Sequence, residues 1–128
     1  MVLNRDVMNS RWIVIVALLI FAFIGCEDIF EDDLSKEKVV LKSPSPNLVT
    51  SVTNISFSWD SLKNADMYNL QVVSKSFSNL STIVIDTTVK KTLIRKVLTP
   101  GEYQWKVTAI NSVSKAFSDT LSFTITLP

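Results

Sequence analysis

The chain has 128 residues, with 13 Lys and Arg against 12 Asp and Glu, one cysteine, two glycines and no histidine. This excludes an internal disulfide, a glycine-rich phosphate loop and any mechanism built on imidazole as general base or metal ligand. The net charge of +1 conceals an uneven distribution along the chain.

The first ten residues are polar, and Arg5 and Arg11 precede an apolar run from Trp12 to Gly25 that ends at Cys26. A charged start, a short apolar middle and a small residue before a cut are the parts of a secretory signal. At about 1.5 Å per helical residue the run reaches roughly 20 Å, against a hydrocarbon core of about 30 Å. That length suits a removed signal better than an uncleaved anchor, the alternative reading. Ala22-Phe23-Ile24-Gly25-Cys26 resembles the lipobox of bacterial lipoproteins, with Phe23 where leucine is usual. The resemblance implies cleavage before Cys26, a diacylglyceryl thioether on its sulfur and an amide-linked third chain such as palmitate. At about 0.8 kcal/mol per buried methylene, two or more chains hold firmly where one is marginal.

Residues 26–38 carry six acids against two bases, net −4, whereas residues 39–128 carry nine bases against five acids, net +4. On composition alone the acidic run is a solvated, self-repelling tether. Its position after the lipid cysteine also resembles the surface-export signal of Bacteroidota lipoproteins. In enterobacterial lipoproteins an acidic residue there implies inner-membrane retention instead. Calcium binding would need a regular ligand spacing and a glycine turn, and the run has neither.

The remaining chain, 39–128, reads as strand throughout. Val39 to Pro46 is a short edge strand interrupted by prolines, which cannot donate to a ladder. Ile55 to Trp59 alternates apolar and polar residues, the period of a half-buried strand. Asp60 to Asp66 is a turn, and Tyr68 to Val72 alternates again. Ile83 to Ile85 and Leu93-Ile94 mark two more strands, the second without a settled register over 91–97. After a turn at Thr99-Pro100-Gly101, Tyr103 to Ala109 and Leu121 to Leu127 alternate. Seven short strands separated by turns predict a single all-β, two-sheet sandwich. Its expected core is Ile55, Phe57, Trp59, Tyr68, Leu70, Val72, Tyr103, Trp105, Val107, Leu121, Phe123 and Ile125.

Phe57-Ser-Trp59, Tyr68-Asn-Leu70 and the run from Leu98 to Asn111, with its Leu98, Pro100 and Tyr103, resemble a fibronectin type III module. The likeness covers most of residues 39–128. It implies a seven-stranded immunoglobulin-like sandwich in which Tyr103 forms a tyrosine corner, its hydroxyl bonded to upstream backbone. Lipid anchor, acidic tether and such a module together resemble small Bacteroidota lipoproteins, including anchored modules of starch-utilisation outer-membrane proteins.

Residues for catalysis are scarce. Asp60 and Asp66 flank one turn, where turn-forming and solubilising roles suffice. Ser112 and Lys115 fall in an expected hairpin loop. The chain is therefore expected to be a non-enzyme without cofactor or metal. Asp60-Ser61-Leu62, Asp86-Thr87-Thr88 and Asp119-Thr120-Leu121 resemble the Bacteroidota O-glycosylation motif, which marks Ser61, Thr87 and Thr120 as acceptors. Turn and strand-end chemistry is the competing explanation. Lys90, Lys91, Arg95 and Lys96 form the densest basic cluster, with no interleaved aromatics. They read as charges guarding a strand edge, not as a nucleic-acid surface.

The leading expectation is an outer-membrane, lipid-anchored accessory subunit whose sandwich engages a protein partner. Its variable surfaces would be the loops 60–66, 74–81 and 111–118. The alternative is a free-standing surface protein that binds glycans, with Phe77 and Phe117 as the loop aromatics that contact sugar.

Overall fold

The computed structural model describes residues 32–78 and 82–128. The expected secretion signal, Cys26 and the tip of the 74–81 loop lie outside these. Ten strands fill the described chain: β1 (Lys38–Val39), β2 (Leu41–Ser43), β3 (Leu48–Thr50), β4 (Asn54–Trp59), β5 (Met67–Ser74), β6 (Ile83–Val89), β7 (Leu93–Val97), β8 (Gly101–Ile110), β9 (Lys115–Ser118) and β10 (Leu121–Ile125). No helix among the described residues is long and apolar enough to cross a membrane.

The strands form a two-sheet sandwich. One sheet is β2-β4-β7. The other runs β6-β5-β8, and then the far edge of β8 is shared by β9 and β10. β1 and β3 close that side by pairing parallel to β9 and β10. The first strand of the sandwich is thus broken into three pieces that change sheets, and the break carries Pro44 and Pro46. The last strand is broken in two at Asp119-Thr120. With those breaks set aside, the order is the three-plus-four arrangement of a fibronectin type III-like sandwich.

The alternating strands do what their period demands. In β4, Ile55, Phe57 and Trp59 point inward, and in β8, Tyr103, Trp105, Val107 and Ala109 do so. Eleven of the twelve expected core residues are buried, and Leu121 is partly buried against them. Phe57 is the hub, with edge-on contacts to Trp105 at 5.3 Å and to Phe123 at 5.8 Å between centroids. The indole N–H groups of Trp59 and Trp105 have no acceptor among the described residues. A buried donor left unpaired costs about 1–3 kcal/mol, so these rings are there for volume.

The tyrosine corner is present. Tyr103 Oη donates to the carbonyl of Thr99 at 2.6 Å, and its ring stacks on Phe123 at 5.2 Å. Tyr103→Phe keeps the ring and orphans that carbonyl, and is expected to lower stability by about 1 kcal/mol in chemical denaturation. β7 settles the register left open over 91–97: Ile94 lies opposite Phe57 and turns inward, while Leu93, Arg95, Lys96 and Val97 are exposed.

The packed chain begins earlier than the composition implies. The sequence reading starts the sandwich at Val39 and leaves 26–38 as tether, yet Leu34 is 1% exposed and belongs to the core. A solitary apolar residue among acids gives no periodic signal, and its burial depends on a slot made by distant loops.

Candidate interaction surfaces

Four surfaces carry the residues of interest. The first is the end where the N-terminal segment docks. Asn111 is the buried polar residue there, 7% exposed. Its Nδ2 donates to the carbonyls of Asp32 at 2.8 Å and Asn64 at 3.2 Å, and its Oδ1 accepts from the N–H of Val113 and of Ser114. Asn64 adopts a left-handed φ of 69°, which asparagine tolerates, and its Nδ2 donates to the Asp32 carboxylate at 2.8 Å. Leu34 N–H donates to Ser114 Oγ at 2.7 Å, and Lys38 pairs with Asp119 at 2.7 Å. One side chain therefore ties together the β4–β5 loop, the β8–β9 turn and the first described residues. Of the loops expected to be adjustable, 60–66 is bonded to this clamp at Asn64, and 111–118 is a clamped turn over 111–114 followed by strand β9. The Asp33 carboxyl is kept below its ordinary range, chiefly by the N–H of Ser35.

The second surface is the outward face of the larger sheet. Asp86 on β6 accepts from Asn69 Nδ2 at 2.8 Å and Gln71 Nε2 at 3.4 Å, both on β5. Next to them on β8 stand Gln104, Lys106 and Thr108. Phe77, in the β5–β6 loop, is half-buried: its N–H donates to Gln104 Oε1 at 3.0 Å and the Lys106 ammonium sits 4.4 Å from its ring centroid. That cation occupies one face of the ring. Phe117 is not in a loop as expected; it lies on β9 opposite Thr108 and is 62% exposed. The sequence conceals β9 because it is four residues long and its inward residue is only Ala116. Both aromatics thus border one polar sheet face, joined through β8, and only Phe117 presents a free ring.

The third group is the expected O-glycosylation acceptors, which the fold scatters. Ser61 is exposed in the β4–β5 loop and Thr120 is exposed in the bend before β10. Thr87 is half-buried on β6 and lines a groove of about 360 Å³ with Val84, Ile85, Lys96 and Leu98.

The fourth is that groove's rim, where two strand edges lie unpaired among the described residues. β6 pairs with β5 alone and β7 with β4 alone. Sequence reasoning identifies the lysines there but not the open strand beside them.

Among the described residues no three of His, Cys, Asp and Glu are grouped to hold a metal. Of the carboxylates flanking the β4–β5 turn, Asp60 pairs with Lys42 at 3.4 Å, and the backbone N–H of Asp66 is bonded to Ile110. Ser112 stays in the turn, while Lys115 starts β9.

Comparison with known proteins returns structural likeness only. No protein-family model matches the chain, and no curated protein matches it. Among solved structures, the chain is similar to one described as "Structure of FN3tt mut", with 20% identity over 69% of this chain and 88% of that one, at a TM-score of 0.43. It is also similar to a Fn3-like protein from Clostridium thermocellum, with 18% identity over 66% of this chain and 91% of that one, at a TM-score of 0.47.

Proposed function

We propose that the chain is an exported bacterial lipoprotein of Bacteroidota type, acylated on Cys26 and held in the outer membrane, whose sandwich is a non-catalytic protein-interaction module in a larger membrane assembly. The observation that carries the module half is a sandwich whose described surface offers an open strand edge while Asp60 and Asp86 are engaged in structural bonds. The anchor half is supported by the Gly25-Cys26 junction after a short apolar run. Only residues 27–31 separate Cys26 from the docked Asp32, a leash of roughly 20 Å when extended. A short leash keeps the module close to its membrane and suits a subunit that acts beside a membrane partner. Mass spectrometry of the mature N-terminus is expected to find acylated Cys26, and Cys26→Ser to release the chain into the soluble fraction. An unmodified Cys26 thiol would reject the anchor.

A second reading is favoured by one observation, the exposed Phe117 ring beside the carboxamides and carboxylate of the outer sheet face. Free-standing glycan binding would use this platform, with Phe77 as its packed border. Phe77→Ala combined with Phe117→Ala then abolishes signal on a glycan array, and an unchanged signal rejects the reading. O-glycans on the chain itself belong on Ser61 and Thr120, which are exposed, before Thr87. A negative glycan stain on native-host material rejects all three.

A further inference from the structure

The two open edges on one side of the sandwich are defended differently. β7 carries Arg95 and Lys96, and Lys96 shares the inward parity of Ile94 yet stays exposed. An inward-pointing charge on an edge strand is a device against unwanted pairing. β6 has no such guard. Its seven residues are Ile-Val-Ile-Asp-Thr-Thr-Val, six of them β-branched, without lysine, proline or glycine. Ile83 and Val84 are 54% and 43% exposed. Its one charge, Asp86, is turned onto its own sheet by Asn69 and Gln71. Along the outer side of β6, alternate backbone N–H and C=O groups face away from β5 and have no strand to pair with among the described residues.

Lys96 on β7 lines the groove beside this edge, and Lys90 and Lys91 follow the end of β6 in the β6–β7 connection, none with an acidic partner among the described residues. Together they make the adjoining wall strongly positive. A second copy of the chain is a poor occupant. A two-fold pairing of β6 with itself would bring two Asp86 together and set the basic clusters of both copies along one seam, which like-charge repulsion opposes. An acidic strand meets complementary charge instead.

We propose that the outer edge of β6 receives, by strand addition, an extended acidic segment of a partner protein. Backbone pairing to β6 gives the affinity, and carboxylates meeting Lys90, Lys91 and Lys96 give the selectivity. This rests on the interaction-module reading above and adds the surface and the partner chemistry.

The test uses the full chain purified in detergent and two capped heptapeptides, one alternating valine with glutamate and one alternating valine with lysine. The glutamate peptide slows hydrogen exchange at alternate amides of β6, and the lysine peptide binds about tenfold more weakly or worse. Val84→Glu with Thr88→Glu sets like charge against the acidic strand, keeps the wild-type melting temperature and loses the protection. Protection that is absent, that falls on β7 or the outer sheet face, or that is equal for both peptides overturns the proposal. So does a dimer that protects β6 without peptide. In the native host, a photocrosslinker at position 84 is expected to trap a segment that mass spectrometry reads as acidic. Capture from position 117 and not from 84 overturns the edge and leaves the module reading standing. Capture from no surface position, with a control complex trapped, removes the module reading itself.

Discussion

Phe57→Ala lowers the free energy of unfolding by about 3–5 kcal/mol, the range for truncating a fully buried phenylalanine. Phe57 is 0% exposed and bridges the sheets, with Trp105 and Phe123 edge-on to it and Ile94 opposite it on β7. Removal leaves a cavity whose walls are strands fixed by their own ladders, so little collapse relieves it. A domain of this size has only about 5–15 kcal/mol in total. The transition in urea therefore shifts far below that of the wild type, and at the low end of the stability range with the largest loss about half of the protein is unfolded in buffer. Val49→Ala, at a side chain 65% exposed on β3, is the control and stays within about 0.5 kcal/mol. Equal midpoints for the two variants would contradict the core described here.

Leu34→Ala costs about 2–5 kcal/mol, although the residue lies in the acidic segment. The side chain is 1% exposed, and its N–H is fixed by Ser114 eighty residues later. Asn111→Ala acts at the same place from the other side, since it orphans the carbonyls of Asp32 and Asn64 together. The two side chains stabilise one docking, so their effects are expected to be less than additive. Lys38→Ala, which breaks an ion pair whose members are 60% and 67% exposed, contributes at most about 1 kcal/mol. The check is chemical denaturation of the three single variants and of the Leu34→Ala, Asn111→Ala double variant. Were the segment a free tether, Leu34→Ala would melt with the wild type.

These two residues also mark the limit of what the sequence discloses. Phe57 is legible because Ile55-Ser-Phe57-Ser-Trp59 alternates and one face must be buried. Tyr103 is legible because Leu98, Pro100 and Tyr103 keep the spacing of a tyrosine corner, and the bond to Thr99 is there. Leu34 is hidden because one apolar residue between Asp33 and Ser35 has no period, and its slot is assembled from chain far downstream. β7 is ambiguous because an edge strand leaves Leu93 and Val97 exposed beside the inward Ile94. Phe117 is misplaced into a loop because β9 is short and begins with Lys115. Among the interaction surfaces, the lysines around β6 and β7 are visible as composition. The open edge they border is a property of pairing, and pairing partners are remote in sequence. Asn111 stands in the stretch that carries the family likeness, yet only the fold reveals that it clamps the N-terminal segment.

The most direct measurement is crosslinking in the native host, followed by detergent extraction and co-purification on a C-terminal tag. An anchored interaction module predicts a stoichiometric outer-membrane partner. Recovery of the chain alone, with a control complex captured under the same conditions, would contradict it.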